Sequence, residues 1–451
     1  MESPAIFTNG DSPSWLRPLE KPLKPSVNRE SSSKQHRRSP MDPNEPNPVS
    51  KAEVGDEMSK ADIIPSQLGY IENSVISKPP DVSLNDMDGF NYIERGAGSG
   101  VVAYIVDTGL DFSHKYFDRY RNQLTSKSSL NWVYAGPLPD DERSDYGRPF
   151  KGFGADEPSY KDPVYYGTMD ASKIHGETGI APWTELVVVK SPTGRGTITA
   201  ISELDCFLKI YDHLMLLRGL DKDKELNFRG AVITTRHLEL STPAPNSPRL
   251  KFYEARGKLL IEILVYLEAQ NAYSFFPIFQ HPSGVTSLPA KHILDAQKEH
   301  PNFLKKTAVI GAIRTSTGES LHLVHPGVKL YAPATDISMP GLYGNNPDDP
   351  DQPPDIKGSG AGFPTALTAG VCAAMISRGW EDPLKRMEEL AYKRTPNGPN
   401  VIWNGINKAT WSKARKKYGF PPIQSTPFVG GGNGNNGDGN GKGKGKGKGK
   451  V

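Results

Sequence analysis

Six short runs rich in β-branched and aromatic residues punctuate the middle of the chain: Val101–Val106, Leu186–Val189, Ala231–Thr235, Ser274–Phe279, Ala308–Ala312 and Val328–Tyr331. They are apolar at successive rather than alternate positions, which predicts strands buried on both faces, as in a parallel sheet covered by helices. Between them the spacing becomes helical. Ile198, Ile201, Leu204, Leu208, Tyr211, Leu214 and Met215 recur three or four residues apart, and Leu259, Leu260, Ile263, Val265 and Leu267 form a second such set. Asp382–Pro383 supplies an N-cap and a proline at the first helical position for a helix from Leu384. This alternation predicts a doubly wound, mostly parallel α/β sheet with helices on both faces.

The ends follow another pattern. Nine of the first fifty residues are Pro, and Gly430–Lys450 is an Asn/Gly then Gly/Lys repeat. Such compositions bury too little apolar surface to offset the entropy of ordering. Residues 1–75 are therefore read as a disordered Pro/Ser-rich region, 76–416 as one folded domain, and 417–451 as a low-complexity tail.

Charge removes one class of partner. The Gly430–Lys450 repeat carries five Lys against Asp438, so the net charge of +3 becomes −1 without it, and no basic stripe is left on the body for specific nucleic-acid binding. No apolar run reaches the ~18 residues of a membrane span, and no secretory leader is visible at Met1. Localisation stays open: cytoplasmic residence is the default, and secretion follows if the true start lies elsewhere. Cys206 and Cys372 are read as free thiols, Cys372 within a small apolar run. No cofactor or metal is expected, because no His/Cys set has metal-ligand spacing and the Asp348, Asp349, Asp351, Asp355 stretch reads as a solvated loop. The glycine run Gly96–Gly100 precedes a strand, whereas a dinucleotide fingerprint follows one.

Three segments carry candidate chemistry. The strand Val101–Val106 runs into D-T-G-L-D-F-S-H (Asp107–His114), placing an acid at the carboxyl end of a buried strand. Next come Y-G-T-M-D-A-S-K-I (Tyr166–Ile174), H-G-E-T-G (His175–Gly179), I-A-P (Ile180–Pro182) and a strand. The third is G-S-G-A-G-F-P (Gly358–Pro364) leading into the small-residue helix Thr365–Met375.

In this order the three segments resemble the motif frames of the subtilisin-like serine protease (subtilase) family, fungal members included, over about residues 75–415. The resemblance implies that Asp107 holds the position of the acid that orients a catalytic His. It places Tyr166 where that His belongs and Gly360 where the nucleophilic Ser belongs. A phenol stays protonated at neutral pH and cannot take a serine proton efficiently. A looser match puts Ser283 in place of the oxyanion Asn, and Arg236 with His237 in place of small residues on the edge where a peptide would pair. His175 lies nine residues past Tyr166, about 13 Å along a helix, and Ser359 is one residue out of register. The expectation is a catalytically inactive homologue with a binding or regulatory role toward a polypeptide. An active endopeptidase with a non-standard triad is the alternative. Asp107, Tyr166 and Gly360 are expected to converge, with the Tyr166 ring beside the Asp107 carboxylate, and Asp170, one turn on from Tyr166, to find a donor or water.

Overall fold

The computed structural model describes residues 63–65, 75–80, 82, 92–94, 96–110, 117, 130–134, 151–152, 162, 166–176, 179–190, 200–222, 228–236, 247–279, 286–340, 356–417 and 419. Its strands are β1 (Ile63–Pro65), β2 (Tyr92–Glu94), β3 (Val101–Asp107), β4 (Leu130–Tyr134), β5 (Lys151–Gly152), β6 (Glu185–Lys190), β7 (Gly230–Thr235), β8 (Ala272–Pro277), β9 (Thr307–Ile313), β10 (Leu330–Pro333), β11 (Ile337–Met339), β12 (Ile356–Gly358), β13 (Tyr392–Lys393) and β14 (Asn400–Val401). The helices are α1 (Tyr166–Ile174), α2 (Ala200–Lys222), α3 (Pro248–Ala269), α4 (Ala290–Glu299), α5 (Gly362–Ser377), α6 (Pro383–Leu390) and α7 (Lys408–Lys417).

Ten strands form the main sheet in the order β13-β14-β10-β9-β8-β7-β3-β6-β4-β5. The eight from β14 to β4 are parallel, and only the outermost, β13 and β5, run antiparallel. Side chains of alternate parity go to opposite faces. Val101, Ala103 and Ile105 of β3 join a core with α1 and α5, while Val102, Tyr104 and Val106 join one with α2, α3 and α4. The doubly wound α/β architecture expected from the apolar runs is the one observed, helices on both faces included.

Four of the six expected strands match within one residue at each end. The other two are displaced for local reasons. Asn271 at φ 59 ends the turn after α3, so β8 starts at Ala272, and Phe279 leaves the ladder to donate its N–H to Ser287 Oγ at 2.9 Å. Val328 N is taken by His325 O at 3.0 Å, so β10 starts two residues later than expected. Helix α6 begins as read: the Asp382 side chain accepts from Lys385 N, with Pro383 at the first turn. Helix α3 begins well before Leu259, capped by Ser247 Oγ on Leu250 N at 3.1 Å with Pro248 behind it.

Strand pairing starts earlier than residue 76. β1 pairs antiparallel with β2, and Tyr92 packs with Val82, Ile406, Trp411 and Ala414, joining this ribbon to α7. Of the two terminal regions read as disordered, Val75, Lys417 and Gly419 are also described, and the rest lies outside the described residues. The run Gly96–Gly100 is a turn feeding β3, with Gly96, Gly98 and Gly100 at positive φ. Cys206 and Cys372 are both buried and free.

Candidate functional site at the carboxyl edge of the sheet

The parity of β3 decides where Asp107 points. It continues the set Val101, Ala103, Ile105, so its carboxyl turns toward α1 and α5, where it is 1% exposed. On the neighbouring β7, Val232 joins the same core and Thr234 Oγ1 donates to Thr365 Oγ1 of α5 at 2.8 Å. The β3–β7 register pairs Val106 with Thr235, so the next residues, Asp107 and Arg236, leave the sheet side by side. Arg236 Nη1 lies 3.7 Å from Asp107 Oδ2. This is also where the winding reverses, with β6 and β4 on one side of β3 and β7 to β10 on the other. Open α/β sheets place ligand sites at such points.

Helix α1 starts here because its first amides are claimed by side chains. Asp162 Oδ2 accepts from Thr168 N and Thr168 Oγ1, both at 2.9 Å, while Asp162 Oδ1 accepts from Thr108 Oγ1 at 2.6 Å. Thr108 Oγ1 accepts in turn from Gly167 N at 3.3 Å. Gly167 has to be glycine, since a Cβ there would run into Gly109 O and lie 3.2 Å from Asp107 Cβ.

One turn into α1, Asp170 is 2% exposed, and its carboxyl and that of Asp107 act on each other. Gly362, the first residue of α5, leaves it space: a Cβ would collide with Asp170 Oδ2 and lie 3.1 Å from Arg236 Cβ. Burial pushes Asp107 well above the usual carboxylate range; the Arg236 guanidinium acts against this, and Asp170 and Asp162 add to it. Asp170 is raised by burial too, again with Arg236 opposing. For Arg236 itself, burial disfavours the charge, but the surrounding acids, Asp107 first, hold its pKa above the ordinary value. Asp170 is buried rather than solvated, with the Asp107 carboxyl and the Arg236 guanidinium acting on it.

Tyr166 is 41% exposed, and the Arg236 guanidinium sits 3.9 Å from its ring centroid, a cation–π stack. Gly360 donates its N–H to Ala334 O at 3.0 Å. A Cβ on Gly360 would lie 3.3 Å from the Phe363 ring and 3.9 Å from Arg236 Nη2. Asp107, Tyr166 and Gly360 thus surround one guanidinium. The sequence marked Arg236 only as an obstacle on a substrate edge; the parity of Val232 and Thr234 on its own strand is the signal that turns it inward.

His175 is elsewhere. At the far end of α1 it donates from Nδ1 to Thr184 O at 3.0 Å and stacks on Phe117, with burial lowering its pKa to about 4. Ser359 is exposed. Ser283, His237, His114 and the acidic stretch at 348–355 lie outside the described residues. Among the described residues no His/Cys/Asp/Glu group could hold a metal ion, and no helix is long and apolar enough to cross a membrane.

No protein-family model and no curated protein matches the chain. Among solved structures, a cold-adapted subtilisin-like serine proteinase is similar over 75% of this chain and 99% of that one, at 14% identity and a TM-score of 0.48. That likeness assigns no role to any residue here.

Proposed function

We propose that this chain is a diverged subtilisin-like serine protease homologue that does not hydrolyse peptide bonds and uses the carboxyl edge of its sheet for binding. One observation carries the reading: the guanidinium of Arg236 stands against Asp107, on Tyr166 and beside the bare Cα of Gly360. The motif frames assign those three positions to an acid, a base and a nucleophile. A guanidinium stays protonated, so it cannot serve as general base, and Gly360 offers no nucleophilic atom. Loss of either the base or the nucleophile in subtilisin, a worked case of non-additive losses, costs on the order of a millionfold in rate. The retained frames support a polypeptide as the ligand class.

Turnover of fluorescent casein by the full chain tests this, with Ser359→Ala as control. The expected result is no hydrolysis above buffer for either protein. Hydrolysis abolished by Ser359→Ala contradicts the proposal.

A further inference from the structure

Two buried carboxyls in contact repel each other when both are ionised, and a shared proton relieves this. Asp107 and Asp170 are 1% and 2% exposed, both stand against Arg236, and each acts on the other's carboxyl. Oδ1 of Asp107 accepts from Thr108 N at 2.7 Å, whereas Asp107 Oδ2 and Asp170 Oδ1 receive no hydrogen bond from any described N–H or O–H group. The nearest cation does not fill that role. Arg236 Nη1 stands 3.7 Å from Asp107 Oδ2 and makes no hydrogen bond.

We propose that Asp107 and Asp170 form a proton-binding site that holds one proton at neutral pH, Asp107 donating to the Asp170 carboxylate, and that this bond latches α1 to the end of β3 until base removes the proton. The step is a simple dissociation: hydroxide takes the proton, and two carboxylates remain. The inference goes beyond the proposed function, because it holds whether or not the chain cleaves peptides.

The surroundings favour one proton. Asp162 faces the pair from the segment before α1, Tyr166 and Lys173 lie on α1 itself, and Arg236 comes from the end of β7. Lys173 donates to Ser338 O and lowers the pKa of Asp170. Lys190 stands opposite Asp107 in the β3–β6 register. α5 brings no charged side chain, and its one titratable group, Cys372, is in the core. The position of Asp170 Oδ2 against Gly362, at the start of α5, suits an anion, since the amides of a helix N-terminus carry partial positive charge. That placement makes Asp170 the better carboxylate of the two and leaves Asp107 as the donor.

The sign of the linkage follows. A carboxyl raised in the folded state keeps a proton that the unfolded chain has released, so its stabilisation is complete below the unfolded carboxyl pKa and is lost as pH rises through the folded value. The substitution Asp107→Asn mimics the protonated acid, because the new amide can donate where the acid did.

Calorimetric unfolding of the full chain at pH 8, in two buffers of different ionisation heat, counts the protons released. The expected count for Asp107→Asn is one fewer than for the parent, and its stability declines less steeply in base, the buried thiols of Cys206 and Cys372 keeping their share. A second measurement needs no variant: the infrared spectrum of the folded parent labelled with 13C-aspartate should contain a protonated-carboxyl stretch at neutral pH that disappears in base before global unfolding. Equal proton counts, or no such band in the folded parent, overturn the proposal. Neither readout involves hydrolysis, so finding protease activity would leave this inference standing while removing the proposed function.

Discussion

Asp107 and Arg236 leave adjacent parallel strands one step past the last register pair, Val106 with Thr235, and meet at 3.7 Å over the start of α1. The guanidinium is the cation that acts on both Asp107 and Asp170. Replacing it by Met keeps most of the side-chain volume and strands the carboxyls. Breaking a buried pair from one side costs ~3–5 kcal/mol, and the partial exposure of Arg236 reduces this to about 2–3 kcal/mol. Urea unfolding of Arg236→Met should show that loss, and Asp170→Asn in the same background should recover part of it. A loss below about 0.5 kcal/mol means the cation does not compensate the acids.

Two glycines at the site are expected to respond in opposite ways. Gly167→Ala drives a Cβ into Gly109 O where α1 meets the end of β3, and should cost about 2–3 kcal/mol in chemical denaturation. Gly360→Ser places its Cβ 3.3 Å from Phe363 and 3.9 Å from Arg236, at a backbone position without positive φ, and should cost less than about 1 kcal/mol. On the proposed function, restoring that hydroxyl should still yield no casein hydrolysis, because neither the Tyr166 phenol nor the Arg236 guanidinium can act as general base. Equal losses for the two variants would place the tight approach wrongly.

His175, at the far end of α1, gives the fold a dependence on acid of opposite sign to that of the carboxyl pair. Burial lowers its pKa from 6.5 to about 4, so the folded state excludes a proton that the unfolded chain binds. Its stabilisation is complete above pH 6.5 and is lost progressively as pH falls toward about 4. The full effect is of order 3 kcal/mol. His213 and His292 are lowered to about 4 as well, so the test is a difference: His175→Asn should flatten part of the stability decline between pH 6.5 and 4. An unchanged slope contradicts the assignment.

The central strands were legible because they are apolar at both parities, and their helices because they repeat at helical spacing. Short or amphipathic elements were not. The strands β1, β2, β11 and β12 have three residues each, too few to show a period. α4 buries only Ala290, Ile293 and Leu294, and α7 only Thr410, Trp411, Ala414 and Arg415. At the site, Asp107 stood out because a carboxylate at the end of an apolar strand has no packing role. Arg236 did not, since its meeting with Asp107 depends on the register between strands more than a hundred residues apart. The identity of Asp170 was conspicuous, but its partner follows from how α1 packs on β3, which a linear reading does not contain.

The central claim is that the edge bearing Asp107, Tyr166 and Gly360 has no activated serine. Intact-mass spectrometry of the full chain after prolonged exposure to excess serine-directed fluorophosphonate tests it most directly. The account predicts a single species at the unmodified mass. A stoichiometric adduct that maps to Ser359, or to any other serine, would contradict it.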